Sequence, residues 1–420
     1  MKRKSTLLLC ILVISVLAFA FSSQTACVSG EFASGWSKVY GGSSDDEAYS
    51  VVQTSDGGYA IAGYTESFGA GGSDFWLVKT DANGIMQWNK TYGGTGNDEA
   101  RSLVATPDGG YGMAGRTESF GAGGYDFWLV KVDSSGNTQW NQTYGGPDND
   151  YPSCIVQASD GGYAIAGVFS AAGGPSDESD AWLIKVDSSG NMQWNKTFGG
   201  DIQSLVATSD GGYTIAGASE SWCSLVIKTD AFGNMQWNKT YGEYTDLHFS
   251  LVVTPDGGYA VAGAVNHVEE SDFWLVKTDS LGNMQWNKTY GETGYNVAAS
   301  VVTTSDGGYA MVGEHGAGRY SDLQLVKVDS YGNMQWEKIV DRLEIQIEDY
   351  ARCLITTTDG GYSIAGSSNS GNSMDFWLLK TDGNGVVPEL PFSLALLALT
   401  VSTIVIVALV KARWKGAFKT

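Results

Sequence analysis

The sequence has few of the residues and none of the motifs that commonly mark an enzyme active site. Only 3 of its 420 residues are histidines, and they lie far apart without the spacing of metal ligands. No Gly-x-Ser-x-Gly, Cys-x-x-Cys, phosphate-binding loop or His-Glu-x-x-His motif is present. These absences remove the support for the commonest hydrolase, thiol-redox, nucleotide and zinc-protease sites, so we assign no catalytic residue.

Basic residues are also scarce. Lysine and arginine number 25 against 46 aspartates and glutamates, which gives a net charge of −21. Three basic residues lie at the extreme N-terminus and four at the extreme C-terminus, so the middle of the chain carries 18 against 46, or 18 − 46 = −28. This charge argues against a nucleic-acid or anionic-lipid partner. It favours cations, basic or neutral ligands, or solubility alone.

Cysteine is too rare to predict a disulfide framework. Of the 5 cysteines, Cys154 and Cys353 each stand six residues before an Asp-Gly-Gly sequence, where the other copies of that sequence are preceded by serine. This pattern indicates a slot for a small residue, which a buried free cysteine fills inertly.

Both ends of the chain resemble membrane-targeting signals. Lys2-Arg3-Lys4 precedes an apolar run over 7–20 and then small residues, which predicts a secretory signal peptide over 1–30. The uncharged apolar stretch 392–410 has the length of a transmembrane helix. A short linker, 387–391, precedes it and a basic tail, 411–420, follows it. The basic tail predicts a single-pass cell-membrane protein with an extracellular ectodomain and a cytoplasmic C-terminus.

In contrast to these scarce residue types, glycine is abundant, and one glycine-containing motif recurs along the chain. Asp-Gly-Gly-Tyr recurs at steps of 52, 52, 50, 46, 50 and 53 residues, starting at Asp56, Asp108, Asp160, Asp210, Asp256, Asp306 and Asp359. A period of this size is typical of a repeat array or a propeller. Each copy predicts four short strands, with an Asp-Gly-Gly turn after the first and, after the third, an Asp-x-x-Gly turn that closes on a left-handed glycine. In the second copy the first strand is predicted over 102–106 and the fourth over 138–144. The lysine repeated in the third strands, such as Lys79, recurs too regularly to mark one active site, so we assign it to the scaffold.

The two ends of the repeat array predict how it closes. A fourth strand with its tryptophan, Trp36, precedes the first complete copy, whereas the last copy lacks a fourth strand. We therefore predict an all-β fold, a seven-bladed β-propeller over 36–386 in which the N-terminal strand completes the last blade. A glycine repeated in every second strand, such as Gly63, predicts close approach of an aromatic ring from a neighbouring blade.

The repeat unit Asp-Gly-Gly-Tyr, Ala-Gly, Asp-Phe-Trp-Leu-Val-Lys-x-Asp-x-x-Gly-x-x-x-Trp resembles those of secreted and surface β-propeller proteins of archaea and bacteria. Its segment 133–140 is similar to the docking-tryptophan repeat of quinoprotein-like propellers. The resemblance covers about 36–385. It implies the propeller fold and an extracytoplasmic location, and it implies no activity.

Five copies carry an aspartate ten residues before the Asp-Gly-Gly aspartate, just before the innermost strand: Asp46, Asp98, Asp150, Asp246 and Asp349. Around one channel mouth these carboxylates would hold a metal cation, for which Ca²⁺ is the candidate, or a basic ligand group. The alternative is that each aspartate caps its own loop or bonds the next blade's backbone. Arg101 and Arg352 are expected to neutralise nearby carboxylates. No other cofactor is indicated.

The predicted outermost strands carry the glycosylation sequence Asn-x-Thr at five positions: Asn89, Asn141, Asn195, Asn238 and Asn287. In an exported glycoprotein these would be exposed acceptors. The alternative is that Asn-Lys-Thr is only a polar outer strand, copied with the repeat.

The connections after the second and fourth strands differ in length and composition, and binding residues concentrate in such loops. We therefore predict a non-catalytic binding or adhesion module that uses an acidic loop face to bind a surface glycan, peptide or protein. Aromatic residues in these loops, among them Phe68, Phe120 and Tyr295, would stack on sugars. The alternative is an extracellular glycan hydrolase or lyase with paired acids on the same face. The pairs available to it are Asp177 with Glu178, Glu269 with Glu270, and Glu348 with Asp349.

Overall fold

The computed structural model describes residues 35–386, apart from 171–178, 220, 222, 243–244, 268–269, 292–293, 317–321, 341–348 and 370–372. Every regular element within these ranges is a β-strand. They contain no helix that is long and apolar enough to cross a membrane. The predicted signal peptide, linker, transmembrane helix and basic tail lie outside the described residues.

The described part of the chain has 28 strands, and the first, β1 (Trp36–Tyr40), pairs with the last. The strands after β1 form six antiparallel groups of four and a last group of three, which β1 completes. These groups follow the repeat and are numbered below as sheets along the chain. Sheet 1 comprises β2 (Asp46–Gln53), β3 (Tyr59–Thr65), β4 (Asp74–Thr80) and β5 (Met86–Tyr92); sheet 2 comprises β6 (Asp98–Ala105), β7 (Tyr111–Thr117), β8 (Asp126–Val132) and β9 (Thr138–Tyr144). Sheet 3 comprises β10 (Tyr151–Gln157), β11 (Tyr163–Ser170), β12 (Ser179–Val186) and β13 (Met192–Gly199).

The later groups have the same order. Sheet 4 comprises β14 (Asp201–Ala207), β15 (Tyr213–Ala218), β16 (Ser224–Thr229) and β17 (Met235–Tyr241); sheet 5 comprises β18 (Thr245–Val253), β19 (Tyr259–His267), β20 (Glu270–Thr278) and β21 (Met284–Tyr290). Sheet 6 comprises β22 (Tyr295–Thr303), β23 (Tyr309–Gly316), β24 (Asp322–Val328) and β25 (Met334–Val340); sheet 7 comprises β26 (Asp349–Thr356), β27 (Tyr362–Asn369), β28 (Met374–Thr381) and β1. A single parallel pair, Ser271 with Tyr295, joins sheets 5 and 6.

Turn chemistry defines one end of every sheet. In the Asp-Gly-Gly turn of sheet 1, Gly57 has a φ of +81° and its N–H donates to the Thr54 carbonyl at 2.9 Å. In the Asp-x-x-Gly turn, Gly84 has a φ of +71° and the Asp81 carboxylate accepts the Ile85 N–H at 2.8 Å. The predicted left-handed glycine is confirmed. We call this end, after the first and third strands, the turn face, and the opposite end the loop face.

A buried lysine holds each turn in place. The Lys79 ammonium, on the third strand, donates to the Asp56 carboxylate and to the Thr80 carbonyl, both at 2.8 Å. The equivalent lysine and aspartate pair at 2.8 to 2.9 Å in each of the other sheets. The prediction that the repeated lysine belongs to the scaffold is confirmed.

Neighbouring sheets pack face to face through separate clusters of buried side chains. Between sheets 1 and 2, for example, the rings of Phe75 and Trp128 lie 4.7 Å apart within one such cluster. The last cluster joins sheet 7 to sheet 1 through Phe376, Leu378 and Ile61. The first strands of neighbouring sheets contact one another in a closed series, from β2 through β6, β10, β14, β18, β22 and β26 back to β2. Four-stranded sheets arranged in this way form a β-propeller with the first strands innermost.

Strand β1 closes the series as predicted. It pairs with β28 in antiparallel register from Trp36 opposite Lys380 to Tyr40 opposite Phe376. The Trp377 indole of β28 donates to the Ser37 hydroxyl of β1 at 2.8 Å. The last sheet is therefore made from both ends of the described chain.

The fourth-strand tryptophan of each sheet docks on the Asp-x-x-Gly turn of the next. A Cβ placed on Gly84 would lie 2.4 Å from the Trp36 ring, so only glycine leaves room for the indole. Tyr40 adds a hydrogen bond from its hydroxyl to the Gly84 carbonyl at 2.6 Å. Tryptophan and turn glycine meet in the same way at Trp88 with Gly136, Trp140 with Gly190, Trp194 with Gly233, Trp237 with Gly282, Trp286 with Gly332, and Trp336 with Gly385.

The serine of the small-residue slot has a role that the sequence did not indicate. The Ser50 hydroxyl on β2 accepts the Leu103 N–H of the next innermost strand at 3.1 Å, and Ser102, Ser204, Ser250 and Ser300 bond in the same way to the sheets that follow them. Cys154 and Cys353 occupy this slot as free thiols. Burial raises the pKa of the Cys154 thiol to about 12, which keeps it inert.

The glycine repeated in the second strands has a different main cause from the one predicted. A Cβ on Gly63 would meet the Glu47 carbonyl oxygen at 1.9 Å, because a bulge between Ala48 and Ser50 pushes the first strand towards it. At Gly115 a ring from the preceding sheet also approaches, with Phe75 at 2.7 Å. The aromatic approach is therefore confirmed there, but the backbone of the bulge comes closer.

Candidate functional site

The candidate site is formed by residues whose identity differs between copies of the repeat. The bulge in the first strand inserts one extra residue, which is Tyr49 in sheet 1, Arg101 in sheet 2 and Arg352 in sheet 7. The residue after the bulge, Ser50 in sheet 1, is serine or cysteine in every copy. The side chains that meet at these varying positions are collectively called the inner network: Glu47, Tyr49, Tyr64, Glu99, Arg101, Arg116, Tyr125, Tyr151, Glu314, Tyr350 and Arg352.

Tyr49 lies at the centre of the inner network, between guanidinium groups of two neighbouring sheets. The guanidinium carbon of Arg101, from sheet 2, is 4.1 Å from the Tyr49 ring centroid, and that of Arg352, from sheet 7, is 5.8 Å from it. Cations at these distances are attracted to the face of the ring. Burial raises the pKa of the Tyr49 hydroxyl, so it stays a hydrogen-bond donor at neutral pH.

Glu47 fixes the ring of Tyr49 from within sheet 1. Its carboxylate accepts the hydroxyls of Tyr49 and Tyr64, each at 3.0 Å, and the two rings stack with centroids 6.2 Å apart. Both tyrosines are thereby held in one orientation before any ligand arrives.

Glu99 holds the two arginines of sheet 2 in a fixed orientation, as Glu47 holds the tyrosines of sheet 1. It is buried, and it accepts Arg101 at 2.7 Å and Arg116 at 2.5 Å. Arg116 in turn lies 4.5 Å from the Tyr125 ring and 5.7 Å from the Tyr151 ring of sheet 3. Burial acts to lower the pKa of Arg116, but the hydrogen bond and the charge of Glu99, together with Tyr125 and Tyr151, outweigh it and raise that pKa. The guanidinium remains charged.

Arg352 extends the inner network towards sheet 6. It lies 3.6 Å from the Glu314 carboxylate and 5.2 Å from the Tyr350 ring. Burial raises the pKa of Glu314, and the charge of Arg352 partly offsets that effect. The buried Nε atoms of Arg116 and Arg352 have no hydrogen-bond partner within the described structure. The expectation that Arg101 and Arg352 pair with nearby carboxylates is confirmed.

Three of the predicted metal ligands, Asp46, Asp98 and Asp150, occupy equivalent places on the loop face, and each of these three has a local partner. Asp46 accepts the Gly42 N–H and the Ser67 hydroxyl, both at 2.8 Å; Asp98 accepts the Gly94 N–H at 2.8 Å, and Asp150 the Gly146 N–H at 2.9 Å. Asp349 is buried as well, whereas the side chain of Asp246 lies outside the described structure.

The loop-capping interpretation is confirmed for Asp46, Asp98 and Asp150. Among the described residues, no three His, Cys, Asp or Glu side chains come together closely enough to hold a metal ion. The Ca²⁺ site stays a prediction from sequence.

All five predicted glycosylation asparagines lie exposed on outermost strands, as the sequence indicated. Three of them also have a structural contact, since Asn89, Asn141 and Asn195 each accept the indole N–H of a third-strand tryptophan at 3.2 to 3.4 Å. Attachment of glycans stays a prediction.

The other sequence candidates contribute little to one site. Phe68 and Phe120 pack on Trp76 and Trp128, with centroids 5.5 and 5.2 Å apart, although both are still partly exposed. His315 pairs its Nδ1 with the Asn296 amide oxygen at 2.6 Å. Each acidic pair suggested for an enzyme has at least one member outside the described residues, so that alternative is untested.

Of the tyrosines and glutamates of the inner network, the sequence indicated only Tyr125, as one of the aromatic residues in the variable loops. The signal for the others is variation: the position seven before the Asp-Gly-Gly aspartate reads Tyr, Arg, Ser, Gln, Phe, Ala and Arg, whereas the next position is serine or cysteine in every copy. Only the contacts show that these residues meet.

Comparison with protein-family models gives no match, and comparison with curated protein sequences gives none. Solved structures resemble the fold. A protein of unknown function from Dyadobacter fermentans aligns over 82% of this chain and 98% of its own, at 12% identity and a TM-score of 0.50. Sqt1 from Chaetomium thermophilum aligns over 83% and 86%, at 13% identity and 0.49. BamB from Moraxella catarrhalis aligns over 80% and 85%, at 13% identity and 0.45. At such identity the likeness concerns the fold alone.

Proposed function

We propose that this chain is a cell-surface binding protein: a seven-bladed β-propeller, exported by residues 1–30 and anchored by residues 392–410, that holds a peptide or protein segment on its inner network without catalysing a reaction. The blade number is supported by the closed series of first strands and by the β1–β28 pairing. The location is supported by the charge pattern of the two ends of the sequence.

The observation that carries the binding proposal is the composition of the inner network. Tyrosine and arginine dominate the energetic centres of protein interfaces. Glu47, Glu99 and Glu314 already orient these groups, so little side-chain entropy is lost on binding. Three glutamates balance three arginines in this network, whereas the whole chain has a net charge of −21. It is a neutral, aromatic patch in an acidic surface.

The test uses the purified full chain on a random-peptide array and on a glycan array, each with and without EDTA. We expect peptides to be selected, and Arg101→Gln with Tyr151→Ser to weaken their binding at least about tenfold, or about 1.4 kcal/mol. Asn83→Ala, at an exposed turn on the opposite face, is the matched control and should bind as the wild type does.

Three results would count against the proposal. Selection of glycans alone would assign the surface to a different class of ligand. Turnover of a polysaccharide would establish the enzyme alternative, and binding that is insensitive to both network substitutions would exclude the inner network. Loss of binding with EDTA would separately support the predicted Ca²⁺ site.

A further inference from the structure

The tips of the Asp-x-x-Gly turns are apolar in one continuous part of the ring. Phe232, Leu281 and Tyr331, in sheets 4, 5 and 6, are between 64% and 74% exposed. Sheets 7 and 1 continue the series with exposed Val386 and Ile85 at the position after the turn glycine. Together these five residues are called the apolar arc. The same turns in sheets 2 and 3 carry serine and asparagine, at 135, 137, 189 and 191.

The turn itself does not require these apolar side chains. Asp230 accepts the Phe232 N–H at 2.9 Å and the Asn234 N–H at 2.8 Å, and Asp133 accepts the Ser135 N–H at 2.8 Å and the Asn137 N–H at 2.9 Å. The backbone geometry is thus the same with phenylalanine or serine at the tip. Large apolar groups held in water on five neighbouring sheets indicate a contact surface.

The course of the chain identifies what covers this surface. Val386 is the last described residue and lies on the turn face, because it follows the Asp-x-x-Gly turn of sheet 7. Five residues, 387–391, separate it from the apolar stretch 392–410. Five residues reach at most about 18 Å. If 392–410 spans the membrane, as proposed above, the Val386 end of the arc lies within about 18 Å of the bilayer.

Lysines accompany the arc in a way that suits a lipid headgroup layer. Lys196 donates to Asn234 beside the Phe232 tip at 3.3 Å, and Lys288 donates to Asn333 beside the Tyr331 tip at 2.7 Å. The stems of Lys38 and Lys338 lie against the turn glycines that precede Ile85 and Val386. Long stems with terminal charges next to apolar tips are typical of surfaces that rest in the interfacial layer.

We propose that the apolar arc is a membrane-contact surface, with its side chains inserted among the headgroups of a neutral lipid leaflet. This rests on the proposed anchor. The propeller then stands tilted, with sheets 4 to 7 and sheet 1 against the lipid, sheets 2 and 3 raised, and the loop face directed away from the membrane.

The test places the full chain in phosphatidylcholine nanodiscs that contain a photoreactive diazirine lipid, with one protein per disc. Co-elution with the discs reports the anchor by itself. After irradiation, mass spectrometry is expected to find lipid adducts in 230–234, 279–283 and 329–333, and few in 133–137 or 187–191. The combined change Phe232→Ser, Leu281→Ser and Tyr331→Ser should remove most adducts from these turns. The control combines Phe68→Ser with Phe120→Ser on the loop face, and it should leave the lipid adducts on these turns unchanged.

Each other outcome is decisive. A chain that enters the discs but shows no adducts on the arc, or equal adducts on all turns, overturns the membrane contact and leaves the anchor intact. A chain that fails to enter the discs overturns the anchor and the contact together, while peptide binding by the inner network is judged by its own experiment. Cross-links from arc to arc in discs with two proteins, without lipid adducts, would assign the arc to a second copy.

Discussion

The asparagine of the outer strands shows how one residue serves the fold and a predicted modification together. In sheets 1, 2 and 3 it accepts an indole N–H, and in sheet 7 Ser37 takes over that bond. In sheet 6 both partners differ, and Gln324 donates to Glu337 instead. N-linked glycans attach through the amide nitrogen, so the amide oxygen remains available to the indole. Both interpretations of Asn-x-Thr are therefore compatible.

We expect Asn141→Ala to lower the free energy of unfolding by about 1 kcal/mol, because the Trp128 indole loses its acceptor. Asn238→Ala is the matched control, since sheet 4 has Leu225 at the tryptophan position. It should change stability by less than about half as much. Urea unfolding of unglycosylated protein measures both, and equal losses would show that the indole bond contributes nothing.

The aspartates of the Asp-Gly-Gly turns are also individually informative, because they couple stability to pH. The bond from Lys131, together with that from Thr106, lowers the pKa of Asp108 from 3.8 to about 2. A carboxyl group with a lower pKa in the folded state stabilises the fold above its unfolded pKa. That contribution is lost as the pH falls through the folded value.

We therefore expect Asp108→Asn to lower the free energy of unfolding by about 1 kcal/mol at neutral pH. It removes the bond to the buried Lys131, but the Asp108 side chain is 49% exposed and solvent screens the pair. The difference from the wild type should shrink as the pH falls from 3.8 towards about 2, because protonation removes the same charge from Asp108. Urea unfolding across this pH range gives the comparison. A difference that stays constant would contradict the assigned pKa.

At the scale of elements, the Asp-x-x-Gly turn does two things. It reverses the chain between the third and fourth strands, and it receives the tryptophan of the preceding sheet. Gly190 has a φ of +83° and would place a Cβ 2.7 Å from the Trp140 ring. Gly257, in an Asp-Gly-Gly turn, has a φ of +79°, but a Cβ there would meet nothing within 4 Å.

Substitutions at these two glycines separate the cost of backbone strain from the cost of displacing the docked tryptophan. Gly257→Ala should lower the free energy of unfolding by about 1 kcal/mol, because a residue with a Cβ is strained in the left-handed conformation. Gly190→Ala carries the same strain and also displaces the indole, so we expect a loss of about 3 kcal/mol or more. Thermal or urea unfolding measures both, and similar losses would mean that the tryptophan moves aside without cost.

The elements were largely predictable from sequence, and the inner network was not. The outer strand Thr138–Tyr144 agrees with its predicted bounds, whereas β6 begins at Asp98 instead of the predicted residue 102. Residues that every sheet requires, such as the turn glycines, recur in every copy and can therefore be predicted from the repeat. Glu99 and Tyr151 meet around Arg116 only because sheets 2 and 3 are neighbours, and no periodic pattern records a contact of that kind.

At the scale of the whole molecule, stability depends on the strand that precedes the repeat array. Strand β1 is joined to β28 by their ladder and the Trp377 bond to Ser37, without a hairpin turn between them. Every other outer strand is tied to its neighbour by an Asp-x-x-Gly turn. The closure is therefore the interface least supported by chain connectivity.

We expect Trp36→Ala to destabilise the protein more than Trp140→Ala, for which truncation of the partly buried indole costs up to about 3 kcal/mol. Loss of Trp36 frees all of β1, so hydrogen exchange should rise throughout β28 and β2. In the Trp140 variant the rise should be confined to the boundary of sheets 2 and 3. Unchanged protection of β28 in the Trp36 variant would show that the ladder alone holds the closure.

The serine bonds between innermost strands imply a mechanical division of the ring. Two boundaries lack this bond. At sheets 3 and 4 the Cys154 thiol donates to the Ala166 carbonyl of its own sheet at 3.9 Å, and at sheets 7 and 1 the Cys353 thiol donates to the Val51 carbonyl at 4.0 Å. These two seams separate a half-ring of sheets 1 to 3, with most of the inner network, from a half-ring of sheets 4 to 7, with most of the apolar arc. A pulling force applied between the inner network and Val386 would cross one of these two seams on either path around the ring, so we expect the molecule to yield there first.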